Sequence, residues 1–236
     1  MKAYLLAAGL GTRLRPLTNT VPKCLLPIRG VPLLEIWLKL CAQAQITSVL
    51  INVHAHAHAV KAFLAARTLP VEVHIAEEPT LLGSAGTLAA NRRWVEGHEH
   101  FFVLYGDVLT NANLRAIAER HCRRNVIATL ALNRVADPSR CGVATLRHDG
   151  IVTDFHEKPV NPASNMVFSG IMVARSEFLN FLPNDVPADI GYHVLPRIAG
   201  KMAGYELTDY LTDIGTMNAY HEVQQSWPVL KQEHQC

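Results

Sequence analysis

Cysteine is scarce in this chain and poorly placed for cross-linking. The five residues Cys24, Cys41, Cys122, Cys141 and Cys236 are odd in number, scattered and without a C-x-x-C pair. Neither a disulfide framework nor a structural zinc site is supported, and a reducing compartment is expected. Long apolar runs are missing as well: no window approaches the ~20 residues that span a bilayer. The apolar start Ala3–Leu10 behind Lys2 is broken by Gly9, Gly11, Arg13 and Arg15, with no small-residue cleavage pattern after it, so it does not read as a secretory leader. Nor is there an excess of one charge. A net charge of +2 and a pI near 8.3 fall short of a nucleic-acid binder, whose basic face pushes the domain pI above about 9. A soluble, cytoplasmic protein with no nucleic-acid and no membrane partner is expected, and any bound anion is small.

What remains is the composition of a globular α/β protein: 236 residues, 49% apolar and 18% charged, without repeats or low-complexity tracts. Short apolar runs at Tyr4–Ala7, Val49–Val53, Val71–Ile75, His100–Leu104 and Val126–Leu132 alternate with helical segments, which predicts buried parallel strands joined by crossovers. Over Pro32–Ala44 the polar residues Glu35, Lys39 and Gln43 recur every fourth position, one stripe on an otherwise buried helix that Pro32 can begin. His56–Arg67 and Asn113–His121 also carry apolar residues at helical spacing. After about Cys141 the texture changes to Val143–Leu146, an Asp149-Gly150 turn, Ile151–Phe155 and Met166–Val173, which reads as hairpins laid against the sheet. The expectation is one three-layer α/β domain over residues 1–227, with a Rossmann-like, mixed but mainly parallel sheet, and a polar tail over 228–236. Ligands then belong in the loops beyond the carboxyl ends of the strands.

The first such loop runs Leu6-Ala7-Ala8-Gly9-Leu10-Gly11-Thr12-Arg13. Its glycines let backbone N–H groups approach phosphate oxygens, and Arg13 adds a permanently charged fork. A glycine pair serves a plain strand-to-helix turn equally well, and the loop has neither the G-K-[ST] ending of a P-loop nor the G-x-G-x-x-G spacing of a dinucleotide fold. The continuation Val21-Pro22-Lys23-Cys24-Leu25-Leu26-Pro27-Ile28 says more, because a lysine held between prolines in apolar surroundings needs an anionic partner. His54, His56 and His58 alternate across a strand-to-helix junction, where three rings do not converge on a metal.

The pattern G-x-G-T-R-L-x-P-L-T…P-K-x-L-x-P-I resembles the signature of the sugar-1-phosphate nucleotidylyltransferases, and the likeness continues in order from Met1 to about Trp227. It implies a Mg²⁺-dependent transfer of NMP from an NTP to a sugar 1-phosphate, with both small molecules as partners; it also allows a homodimer, which the residues do not specify. By this resemblance Leu6, Ala8, Gly9, Gly11, Thr12, Arg13, Lys23, Glu78 and Gly83 would bind the nucleotide, and Arg13, Lys23 and Asp107 would be catalytic. The Glu78–Thr87 stretch resembles the base-binding loop, with Gly83 letting the base pack close. Gly106-Asp107 resembles the family's G-D motif, and Asp213 its second acidic segment; together they would hold the metal. Gly106, Glu157, Lys158, Ser169 and Gly170 would contact the sugar phosphate. The chain departs from the pattern at Phe168 and Ser169, where the family often has Asn, and at Asn111, where relatives often carry an acid.

A carboxylate at Glu78 facing the base would match the two N–H donors on guanine's edge, whereas uracil and thymine offer one. GTP with mannose or heptose 1-phosphate is therefore the first expectation, and UTP or dTTP with glucose or an N-acetylated sugar 1-phosphate the second. A catalytically silent regulatory relative would have lost Arg13, Lys23, Asp107 or Asp213, and all four are present. A bare nucleotide-binding module is a third reading. The chain ends soon after Asp213, so a transferase without a β-helical or acyltransferase extension is expected.

Overall fold

The computed structural model describes residues 1–228; the tail expected over 228–236 lies, apart from Pro228, outside the described residues. In chain order come β1 (Lys2–Leu6), the small hairpin β2 (Pro27–Ile28) and β3 (Val31–Pro32), α1 (Leu33–Gln43), β4 (Ser48–Val53), α2 (Ala57–Ala65) and β5 (Glu72–Glu77). Next are α3 (Gly83–Ala90), β6 (His100–Tyr105), β7 (Val108–Thr110), α4 (Leu114–Cys122) and β8 (Ala128–Arg134). The last part holds β9 (Gly142–Leu146), β10 (Ile151–Glu157), β11 (Met166–Arg175), α5 (Ile190–His193), β12 (Met202–Glu206), β13 (Leu211–Asp213) and α6 (Met217–Ser226).

Among the described residues nine strands form one sheet in the order β5-β4-β1-β6-β11-β8-β12-β10-β9. The block β5-β4-β1-β6 is parallel throughout, and β12 is parallel to β8. Only β10 and β11 run against the rest. Period-two alternation explains why both faces are covered. Ala3 and Leu5 of β1, Val49 and Ile51 of β4, and Phe102 and Leu104 of β6 join the core under α1, α2 and α4. Tyr4, Leu50, Phe101 and Val103 belong to the opposite core, with Leu88 of α3 and Ile190 of α5. Each such side chain taken from water contributes roughly 1.5–3 kcal/mol, so the strands are fixed by burial on two sides.

The helices expected from spacing form with shifts of a residue or two at their ends. Glu35 and Lys39 pair at 2.8 Å on α1, and Asn113 caps α4 by accepting the Ala116 N–H. The hairpin expected around Asp149-Gly150 forms, with β9 antiparallel to β10, but it and β11 are strands within the sheet and not hairpins laid against it. β11 lies between β6 and β8, antiparallel to both, and its near-continuous burial is what an interior strand requires.

Strand order sets the site. From β1 the chain steps outward to β4 and β5, then returns across β1 to β6, so the loops after β1 and β6 diverge and leave a crevice between them.

Candidate active site

That crevice is a cleft of about 450 Å³ lined by the loop Leu6–Arg13, by Lys23, Asn52, Glu78, Gly83 and Ser84, and by Tyr105, Gly106 and Asp107. Gly9 faces open space where a side chain would stand, and Gly11 has φ 61° with Thr18 close to the position a Cβ would take. The loop is thus free of side chains where a ligand's phosphates can lie against its N–H groups. Gly106 donates its N–H to the Leu6 carbonyl at 2.8 Å, joining the two walls. Arg13 is exposed and forms no ion pair among the described residues, with its guanidinium beside Gly215.

Lys23 is 8% exposed in its side chain and sits between two carboxylates, with Nζ 3.0 Å from Asp107 Oδ2 and 3.4 Å from Asp213 Oδ1. The partner that a lysine so placed requires is therefore a pair of acids far apart in the chain, Asp107 and Asp213. A two-stranded ribbon brings them together, because β13 pairs with β7 so that Asp213 stands opposite Val108. Tyr210 is clamped at its base: its carbonyl accepts from Thr110 Oγ1 (2.7 Å) and its N–H donates to Asn111 Oδ1 (2.9 Å). Trp37 of α1 ties the ribbon to the core through Nε1–H to the Val108 carbonyl at 2.9 Å. Two carboxylates that reach one ammonium converge on a point a hard cation can also take. Among the described residues no group of three or more His, Cys, Asp or Glu side chains accompanies them, so further ligands have to be water or phosphate.

The wall opposite Asp107 is a closed polar network. Glu78 is 3% exposed. Its Oε1 accepts from Asn52 Nδ2 (2.9 Å) and Thr87 Oγ1 (2.5 Å), and its Oε2 accepts the Leu82 N–H at 3.2 Å. His54 donates Nδ1–H to the Glu78 carbonyl at 2.7 Å, a structural use for one of the three histidines. The expectation that both Glu78 oxygens are free to read a guanine edge is corrected here: one is saturated and the other is half used. Gly83, with φ 76°, starts α3, and a Cβ there would stand 2.3 Å from the Ala188 carbonyl oxygen. Packing of the two backbones requires glycine at this position whatever ligand binds.

Glu157 and Lys158 are outside the lining of the cleft, with Glu157 near enough to Tyr105 to act on its hydroxyl. The Glu157 carboxylate fills space beside Gly142 and Gly191 that any side chain there would invade, at 2.6 and 2.3 Å. Lys158 Nζ is 3.7 Å from Glu157 Oε1; no other donor bonds Glu157 among the described residues. Burial pushes its carboxyl above the usual range and the nearby Asp189 adds to this, while Lys158 pulls it back. Burial first, then Asp189, likewise keeps the Tyr105 hydroxyl protonated. Lys158 has φ 48°, held by its N–H to the Cys141 carbonyl at 2.9 Å, which turns the chain as β10 ends. Ser169 is 4% exposed and donates to the Ala131 carbonyl at 2.8 Å, and Gly170 packs on Tyr105. Neither reaches the cleft.

The structure adds Asn52, Ser84, Tyr105 and Gly215 to the residues foreseen from sequence. Asn52 left a signal, as a lone amide inside the apolar run Val49–Val53 near the carboxyl end of a parallel strand. Ser84 left none: it reaches Asp189 Oδ2 at 2.8 Å across a separation only the fold brings together.

A family model described as nucleotidyl transferase matches residues 2–228. The chain belongs to the nucleotidyl transferase family. It is 32% identical over 219 residues to the mannose-1-phosphate guanylyltransferase catalytic subunit beta of Drosophila melanogaster, covering 91% of this chain and 59% of that protein. It is 29% identical over 213 residues to the UTP--glucose-1-phosphate uridylyltransferase of Synechocystis sp., covering 84% of this chain and 55% of that one. The nucleotidyl transferase chain therefore spans less than two thirds of the curated relatives it matches. A crystal structure from Bacillus anthracis, of a protein carrying the provisional name glucose-1-phosphate thymidylyltransferase in complex with sucrose, superposes with a TM-score of 0.85 at 26% identity, covering 95% of this chain and 94% of that one. Among the described residues no helix is long and apolar enough to cross a membrane.

Proposed function

We propose that this chain transfers a nucleoside monophosphate from a nucleoside triphosphate to a sugar 1-phosphate. The observation that carries the reading is the buried Lys23 between Asp107 and Asp213, beside a loop of free backbone N–H groups. Charge of both signs is gathered where two phosphate groups have to meet. An oxygen of the sugar 1-phosphate attacks the α-phosphorus of the triphosphate. The bond from that phosphorus to the oxygen bridging to the β-phosphate breaks, and pyrophosphate leaves with its electron pair. Positioning two anions and neutralising the developing charge supplies most of the acceleration in such chemistry. The Gly9–Thr12 loop and Arg13 hold the triphosphate, and Lys23 stands at the reacting phosphates. Glu157 and Lys158 meet the sugar phosphate, Glu157 as acceptor for hydroxyl protons. Asp107 and Asp213 would hold Mg²⁺, whose chemistry when bound is to offset negative charge on phosphate oxygens.

GTP with mannose 1-phosphate is the first pairing, supported by the name of the fly relative. A second reading, UTP or dTTP with glucose 1-phosphate, is favoured by the half-occupied Oε2 of Glu78, which suits the single N3–H of a pyrimidine. Four NTPs run against mannose, heptose, glucose and N-acetylglucosamine 1-phosphates with Mg²⁺, scored by pyrophosphate release, test the proposal. One productive pair is expected. Nucleotide binding without pyrophosphate from any pair would leave a silent relative or a binding module in its place.

A further inference from the structure

Asn52 is buried to 4% exposure at the end of β4 and spends its whole amide inside the protein. Its Oδ1 accepts the Ala7 N–H at 2.7 Å, where β1 gives way to the glycine loop. Its Nδ2 donates to Glu78 Oε1 at 2.9 Å and to Thr87 Oγ1 at 3.0 Å. Thr87, fully buried on α3, completes a triangle by donating to the same oxygen. One side chain thus joins three walls of the cleft: the phosphate loop, the carboxylate after β5 and the first turns of α3.

We infer that Asn52 is a positioning residue for base selection, acting through Glu78: it saturates Oε1 and leaves Oε2 as the only carboxylate acceptor a base can meet. The inference rests on the proposed nucleotide-dependent reaction and names the part of the protein that sets its nucleotide preference. A carboxylate oxygen takes about two donors, and Oε1 already has two. Turning Glu78 to present both oxygens breaks two buried hydrogen bonds and strands the Asn52 and Thr87 donors, which the interior resists. With Asn52 in place the site counts one base N–H at Glu78; without it the carboxylate swings and the count is lost. The Ala7 anchor acts on the phosphates that all nucleotides share, so its loss cancels in a ratio of two nucleotides.

The test measures equilibrium binding of GTP, UTP and inorganic tripolyphosphate to the parent, to Asn52→Ala and to Thr87→Val, with thermal unfolding recorded for each. The parent is expected to prefer one base, and Asn52→Ala to shrink that preference by about tenfold while weakening tripolyphosphate and both nucleotides together. Thr87→Val frees Oε1 from the other side without touching Ala7. It is expected to shrink the preference with tripolyphosphate affinity unchanged, and it carries the test if Asn52→Ala does not fold. A preference that stays within about twofold of the parent's in the folded variants overturns the role, and so does a parent that binds GTP and UTP equally. A parent that binds no nucleotide overturns the functional reading itself and this role with it.

Discussion

The two walls that flank Tyr105 are built on opposite plans. On the nucleotide side Glu78 is locked by Asn52, Thr87 and the Leu82 N–H, and Lys23 already has both its acids. On the other side Glu157 has a single cation 3.7 Å away and a carboxyl raised by burial and by Asp189. Glu78 is buried and Glu157 is partly so, yet only Glu78 has its hydrogen bonds made. A wall that is complete before binding fixes what it accepts. A wall with unmet acceptors gains most from a ligand that brings donors, as a sugar's hydroxyls do.

The largest effects are expected where the walls meet. Asp107→Asn should lower pyrophosphate release by about a thousandfold or more while the unfolding transition stays within a few degrees. Normal turnover in that variant would remove Asp107 from the centre. Lys23→Ala should lose most turnover as well; a rise confined to the KM for sugar phosphate would reassign Lys23 to the other wall.

A matched pair of substitutions probes the contrast directly. Glu78→Gln puts an N–H₂ where the network needs an acceptor, and should cost about 1–3 kcal/mol, read as a melting temperature lower by roughly 3–10 °C. Glu157→Gln should raise the melting temperature at pH 7, because it removes a buried charge with few compensating bonds. The sign follows from the raised carboxyl. A group whose folded pKa lies above its unfolded one stabilises at low pH and loses that contribution as pH rises through the folded value. The gain in Glu157→Gln should therefore be largest at neutral pH and vanish once the parent's carboxyl is protonated. The same variant should raise the KM for sugar phosphate by about tenfold with nucleotide affinity unchanged. A lower melting temperature in both variants would erase the difference between the walls.

The strand ladder of the first half was legible because Tyr4–Ala7, Val49–Val53 and His100–Leu104 are short apolar runs between helical periods. Their parallel order then places the loop after β1 and Asp107 after β6 together. The residues of the phosphate side carry local signals: two glycines, an arginine, and a lysine between prolines. The saturation of Glu78 Oε1 carries none, since its partners stand 26 and 9 residues away in sequence. Gly83 illustrates the same limit, its need for glycine arising from Ala188, far along the chain. In the second half β11 read as part of a hairpin laid against the sheet because apolar texture does not reveal which neighbours a strand will have.

A histidine at the far end of the sheet offers a pH response of opposite sign. His121 is fully buried, with Nδ1 2.9 Å from Thr129 Oγ1. Burial first, then His100 and Arg175, pushes its imidazole down to about 4. With the folded value below the unfolded 6.5, its contribution is whole above pH 6.5 and is lost as pH falls toward 4. His121→Leu should move the acid-unfolding midpoint lower, by about one pH unit, without affecting Glu157. An unmoved midpoint would assign acid unfolding to groups other than His121.

The smallest effect is expected at Asn111, where the chain departs from the acid often found in relatives. The departure looks consequential because Asn111 stands close to Asp107 in sequence, yet its Oδ1 is occupied by the Tyr210 N–H at 2.9 Å. Its own N–H meets the Tyr210 carbonyl at 3.3 Å, and Thr110 Oγ1 reaches that carbonyl too. The side chain thus works as an acceptor that pins the start of β13, and Asp213 with it. An aspartate keeps the acceptor, so Asn111→Asp should change turnover by less than about threefold and leave the ribbon intact, whereas Asn111→Leu, which strands the Tyr210 N–H, should lower turnover by about tenfold by loosening Asp213. Steady-state kinetics on the two variants distinguish the cases. A large loss in Asn111→Asp would mean that a third charge beside Asp107 and Asp213 matters more than the bond to Tyr210, and the locked side of the site would then be tuned by its field as well as by its hydrogen bonds.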